Sequence, residues 1–186
     1  QAAKANTTGT GTVAIGYQAL TANTSGDYNT AIGYQSLAAN TTGGANTALG
    51  IQALEANTSG DNNLAAGGDS MKLNTTGSWN TSLGTSTMET NTTGSYNTAI
   101  GGEALDKNTT GSGSVGIGYQ ALYTATTEGS LTAIGFKAAK ANTTGTATVA
   151  VGYEALTANT TGENNTALGY RALYTNTDGG YNTAMG

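Results

Sequence analysis

The chain of 186 residues has no cysteine, no histidine and no proline, and only one Phe and one Trp. Without cysteine there is neither a disulfide framework nor a thiolate metal site. Without histidine or cysteine, the usual bases and nucleophiles of enzymatic sites are missing as well. Charge is scarce too: 9% of residues are charged, against roughly 25% in an ordinary globular domain. The net charge of −5 argues against a nucleic-acid partner, which calls for a basic stripe. Apolar runs such as VAIGY at 13–17 fall far short of the roughly 20 residues that span a bilayer, so no membrane insertion is expected. No basic-then-apolar leader pattern opens the sequence; for an exported protein, that segment lies outside it.

What the chain does have is glycine, 29 of them, and a repeat. Gly stands at 16, 33, 50, 67, 84, 101, 118, 135, 152, 169 and 186, ten consecutive steps of 17 without insertion or deletion. Substitutions are frequent but length never changes. That strictness predicts one coil of a stacked solenoid per repeat, because one extra residue would break the ladder to both neighbours. Residues 1–186 read as a single repetitive segment of about eleven coils. The sequence opens and stops in mid-repeat without a cap, as expected for a stretch of something longer or a unit stacking end to end.

The strand signal precedes the periodic Gly: TVAIG at 12–16, NTAIG at 29–33, TVAVG at 148–152. Its β-branched residues favour an extended chain. The residue before Gly is Ile, Leu, Val or Met in ten of eleven repeats; where Ala66 replaces it, Leu64 arises two residues earlier. That exchange puts both columns on one face of a strand, expected to point into the core. The small residues between them (Ala14, Ala31, Ser82, Gly116) are expected to face backbone at close range. A second apolar column follows the Gly, at Leu20, Leu37, Leu54, Met71, Met88, Leu105, Leu122, Ala139, Leu156 and Leu173. Fourteen of the 17 charged residues fall in the columns of Gln18, Thr21 and Asp27. Exposure of both the Gln18 and Thr21 columns demands a bend after the Gly, and its Ala, Leu, Gln, Glu and Lys content suits a short helical turn.

The remainder, ANTTGDYN-like, is a loop. Thr fills the Thr24 column in all eleven repeats, Asn the Asn23 column in ten and Gly the Gly26 column in ten. Asn and Gly are the residues expected where a tight turn takes positive φ. Thr24 is expected to bond backbone in the turn or to stack with its copies. At Thr126-Thr127-Glu128-Gly129 the Gly slips by one while the repeat length holds, which predicts a different turn in the same register. A core of one Ile and one Leu per coil, worth about 1.5–3 kcal/mol each, is thin against about 1–2 kcal/mol of backbone entropy per residue. Sharing apolar faces among several chains is the expected remedy.

The segments TVAIG, SVGIG (114–118) and TVAVG, each followed by two variable residues and Ala, resemble the SVAIG-x-x-A repeat of trimeric autotransporter adhesin heads. The NTAIGYQAL-type repeats are similar to those of phage and bacterial tail-fibre-like proteins. The resemblance runs the whole length of the chain, although the period of 17 is longer than that of the adhesin heads. It implies a left-handed parallel β-roll, three chains per fibre, displayed on a bacterial surface or a virion.

Other motifs carry little. Gly111–Gly116 matches GxGxxG literally, but opens no helix of a βαβ unit. Asp27 and Asp61 have too few acidic counterparts for a repeated calcium site. Nine copies of the Asn23 column form N-T-[ST] sequons, such as Asn6-Thr7-Thr8 and Asn40-Thr41-Thr42, which a turn Asn beside a turn Thr explains; glycosylation is the alternative. The aromatic column (Tyr17, Tyr34, Tyr119, Phe136, Tyr153, Tyr170) reads as packing between coils or chains, with a sugar- or surface-binding stripe as the alternative.

The sequence thus predicts a mainly β, parallel β-solenoid (β-roll), left-handed and trimeric. No catalytic, cofactor-binding or metal-binding residues are expected, and no enzymatic activity. Its expected role is a structural and adhesive extracellular fibre segment, self-associating as a homotrimer or end to end, with a cell-surface or glycan receptor as a further partner. An ice-binding solenoid using Thr rows is the second expectation.

Overall fold

A side chain repeating every 17 residues can stack on its own copies only if every coil closes on itself. The computed structural model, which describes residues 1–186, shows that closure. Eleven three-residue strands follow in order: β1 (Val13–Ile15), β2 (Thr30–Ile32), β3 (Thr47–Leu49), β4 (Leu64–Ala66), β5 (Thr81–Leu83), β6 (Thr98–Ile100), β7 (Val115–Ile117), β8 (Thr132–Ile134), β9 (Val149–Val151), β10 (Thr166–Leu168) and β11 (Thr183–Met185). They form one parallel sheet in sequence order. Each residue pairs with the one 17 positions away, as in Val13↔Thr30, Ala14↔Ala31 and Ile15↔Ile32. The register holds across the slipped turn, where β7 pairs β8 through Ile117↔Ile134. The chain is a β-solenoid with 17-residue coils, and at about 4.8 Å per step its sheet runs about 50 Å.

The strand faces are the reverse of the expectation. The small column points inward: Ala31, Ala48, Ala65, Ala99, Ala133, Ala150 and Ala167 are fully buried. Their larger neighbours point out, with Ile15 58% exposed. Leu64 and Ala66 do share a face, but it is the outer one. The reason is space. A Cβ added at Gly116 would sit 3.3 Å from Leu105 Cγ and 3.4 Å from the Ala121 carbonyl oxygen. The inward strand position therefore abuts the Leu20 column and the bend's backbone, and only a methyl group or less fits. The core holds one large residue per coil, Leu20, Leu37, Leu54, Met71 and so on, flanked by two small columns of the Ala14 and Ala19 type.

The bend after the Gly is not helical. Gln18 and Leu20 both lie in the left-handed region, at φ 56° and 51°, and the same two columns do so in nearly every coil. Alternation of this kind turns successive N–H groups along the rod. The Gln35 amide donates to the Tyr17 carbonyl of the coil before (2.9 Å), and the Leu37 amide to the Ala53 carbonyl of the coil after (3.0 Å). A left-handed non-glycine residue costs about 1–2 kcal/mol, offset by bonds between coils that a helical turn would forgo. Exposure of the charge-bearing columns is partial: Glu55, Lys72, Glu89, Glu103 and Glu154 are half-buried, and Asp106 is buried.

Glycine is needed at Gly26 for space rather than for φ. Gly26 is absent from the positive-φ residues; a methyl group there would overlap the Gly43 carbonyl and stand 2.7 Å from Asn23 Oδ1. The Gly16 column needs both freedoms, with φ of 113–140° and the next coil's Gly carbonyl against it.

Candidate interaction surfaces

Two asparagine columns, both buried, hold the loop half of each coil. In the first, Asn40 Nδ2 donates to Asn23 Oδ1 (2.8 Å) and to the Gly43 carbonyl (2.9 Å), and Asn57, Asn74, Asn91 and Asn108 repeat the pattern. In the second, Asn46 Nδ2 donates to the Gly60 carbonyl (2.8 Å) and its amide to Asn29 Oδ1 (3.0 Å). Asn23 is thus an interior ladder rather than a left-handed turn residue. Asn29 escaped the sequence reading altogether, although its recurrence at 29, 46, 63, 80, 97, 165 and 182 was a usable signal. The ladder also answers the glycosylation question: of the nine sequon asparagines, all but Asn6 are buried at 0–1% exposure. Their amide nitrogens are enclosed in the folded chain.

The ladder breaks once. Ala125 takes the Asn23 slot and Leu131 the Asn29 slot, both buried. Asn108 Oδ1 is left without a donor. Thr109 and Thr110 amides reach the Thr126 carbonyl. Thr126 and Thr127, shifted by the slipped Gly, donate no corresponding bonds to Thr143, and the Ala147 amide has none to Gly129. Here the turn differs while the strands keep register, as the sequence predicted.

Three long surfaces remain. The strand face presents the Val13, Ile15 and Tyr17 columns, 32 residues without one charge. Tyr119, Phe136, Tyr153 and Tyr170 stack in succession at 5.7, 5.2 and 5.4 Å between ring centroids, and Tyr17 on Tyr34 at 5.6 Å. The rings occupy one another's faces, so the stripe is packing between coils and offers a sugar mainly ring edges.

The second surface carries the Gln18 and Thr21 columns. Its charges pair locally rather than converge: Arg171 Nη2 meets Glu154 Oε2 at 2.7 Å, and Lys72 Nζ meets Asp69 Oδ1 at 3.0 Å. Asp106, with its side chain 6% exposed, bonds Lys107 Nζ at 2.8 Å through Oδ2. Burial pushes its carboxyl above the ordinary 3.8, against the pull of Lys107.

The third is a hydroxyl-rich ridge. Thr24 Oγ1 donates to the Thr41 carbonyl at 3.0 Å, the copy stacked above, and the column repeats this bond. The next residues, Ser25, Thr42, Ser59, Thr76, Thr93, Thr110, Thr144 and Thr161, are exposed; in that column only Thr8 and Thr127 spend a hydroxyl on the protein. Asp27 and Asp61 serve the coil before: Asp27 Oδ1 accepts from the Thr10 amide (2.7 Å) and Asp61 Oδ1 from the Gly44 amide (2.7 Å). Those bonds from Thr10 hold the Asp27 carboxyl below its ordinary range. The Gly111–Gly116 stretch runs from this turn into β7, with Ser114 in the Asn29 slot.

No protein-family model, curated protein or solved structure matches the chain in comparisons with each.

Proposed function

We propose that this chain is a segment of an extracellular fibre, on a cell surface or a virion, acting through rigidity and repeated surface contact rather than catalysis. The observation that supports it is the charge-free strand face. A footprint of about 50 by 16 Å is on the order of 800 Å², the area each partner contributes to a standard stable interface. Apolar faces of that size on soluble proteins mark association sites. A homotrimer joining three such faces would cover the Ile15 column and compensate for a core of one large side chain per coil. Sedimentation velocity tests it. The unaltered protein is expected to run as a trimer, and Ile32→Lys with Ile134→Lys as a folded, smaller species. A soluble monomer of the unaltered chain would sink the reading.

One observation favours a second reading, an ice-binding surface: the free, exposed hydroxyls of the Ser25 column repeat in register along the ridge. Thermal hysteresis at micromolar protein, lost when Thr76 and Thr93 become Lys, would displace the fibre reading.

A further inference from the structure

Four aromatics stand on the ridge where the fold does not need them. Tyr28, Trp79, Tyr96 and Tyr181 occupy one left-handed column at φ 58–62°. Elsewhere that slot holds Gly11, Ala45, Asn62, Gly113 or Ser130, so no ring is required for the coil to close. A bulky residue at positive φ is unfavourable, and these rings recover little by burial: Trp79 is 57% and Tyr96 67% exposed.

Trp79 and Tyr96 are the two in adjacent coils. Unlike the strand-face aromatics, they form no ring stack with each other or with other rings. Their backbone is fixed on both sides: the Trp79 amide donates to the Asp61 carbonyl and the Tyr96 amide to the Ser78 carbonyl, both at 3.0 Å. The Ser78 and Ser95 hydroxyls receive the amides of Asp61 and Ser78, also at 3.0 Å. The rings therefore project from a rigid frame, the preorganisation a binding site needs.

Their surroundings select the ligand. Within the Thr24 to Tyr28 columns there is no Lys or Arg, so an anionic ligand finds no counter-charge. There is no Val, Ile, Leu or Met either, so an apolar protein patch would lack the surrounding rim that makes hot-spot aromatics effective. What flanks the rings is hydroxyl: Thr76 and Thr93 exposed, with Ser78 and Ser95 half-buried beside them. Free aromatic faces bordered by neutral hydroxyls complement a ligand with an apolar C–H face and a hydroxyl edge.

We propose that Trp79 and Tyr96, with the Thr76 and Thr93 hydroxyls, bind a neutral oligosaccharide by stacking on its pyranose rings. This rests on the adhesive reading above and names the receptor class for it. A single contact of this kind is weak, with a dissociation constant of about 1 mM; avidity comes from several chains presenting the same ridge.

Trp79 is the sole tryptophan, so its emission reports on this site alone. The assay titrates the assembled protein with cellohexaose, maltohexaose and mannohexaose, and separately with phosphatidylcholine vesicles. A saturable shift with at least one hexasaccharide is expected, weakened roughly tenfold in Tyr96→Ala with an unchanged melting temperature. No shift with any of the three sugars overturns the proposal, as does a shift equally strong in Tyr96→Ala. A response to vesicles alone assigns the rings to a lipid surface and also overturns it. If assembly shields Trp79 from acrylamide quenching, the ridge is a chain interface and the proposal fails. Sedimentation of the same samples keeps the fibre reading separate, because neither ring belongs to the strand face on which assembly is proposed to depend.

Discussion

Removing one rung of the interior ladder, by Asn57→Ala, isolates what the buried amides contribute. Asn57 Nδ2 donates to Asn40 Oδ1 (2.8 Å) and the Gly60 carbonyl (3.0 Å), and Asn57 Oδ1 accepts from Asn74 Nδ2 (2.8 Å). After truncation the Gly60 carbonyl keeps the Asn46 donor and Asn74 keeps the Gly77 carbonyl. Asn40 Oδ1 keeps nothing and stays buried. One orphaned acceptor costs about 1–3 kcal/mol and each net hydrogen bond about 1 kcal/mol, so the variant should lose about 2–4 kcal/mol. The chain itself offers the compensated form, Ala125 with Leu131, in which the opposite slot is filled by a larger apolar side chain. Asn57→Ala/Asn63→Leu should accordingly cost at least about 1 kcal/mol less than the sum of the two single changes, a coupling expected of contacting residues. Native-state hydrogen exchange at Thr58 and Gly60 measures the loss locally, which suits a solenoid whose coils need not unfold together. If Asn57→Ala changes protection by less than about 0.5 kcal/mol, the ladder is not a source of stability. If the double variant is simply additive, the Ala125–Leu131 pair is not a compensation.

Gly60→Ala should be more damaging than Gly68→Ala: the first methyl overlaps the Gly77 carbonyl, whereas nothing lies within 4 Å of the second, and thermal unfolding ranks them. Asp106 carries a pKa raised above 3.8 by burial, so the folded state holds its proton more tightly than the unfolded one. Its penalty is absent below pH 3.8 and grows as pH rises through the raised value. Asp106→Asn should therefore raise the melting temperature at pH 7 and leave it unchanged at pH 3, and an equal effect at both would refute the assignment. A glutamate-specific protease should cut the folded chain first after Glu128, where the loop ladder lapses; earlier cleavage at Glu55 or Glu154 would show that the lapse does not weaken the turn.

The solenoid, its period and its register were legible because a strict Gly every 17 residues has few physical causes. Which strand face turns inward was not. The Leu64/Ala66 exchange reports that two columns share a side, and says nothing of which side. Hydrophobicity alone chose wrongly, since Ile15 is the more apolar residue and Ala14 the buried one. Volume decides the matter: with Leu20 reaching across a narrow coil, only methyl-sized groups fit opposite. The bend was misread because Ala, Leu and Gln favour a helix locally, while bonds between coils impose left-handed Gln18 and Leu20. Asn23 looked like a turn residue because composition cannot distinguish a side chain that shapes its own turn from one that bonds its copy.

The hydrogen bonds that join coil to coil run along the rod, so a pull on its ends stretches them directly while the covalent chain lies crosswise. A coil that yields releases 17 residues, about 56–61 Å of slack at full extension, in place of the 4.8 Å it occupied. The step beyond Glu128 lacks the Thr126 and Ala147 bonds and the Asn rung, so it should yield first and set the lowest rupture force. Single-molecule extension should show a first event there, followed by increments of one coil each. A fibre built in this way takes up sudden strain by lengthening in measured steps, and the one irregular sentence in its repeat determines where the lengthening begins.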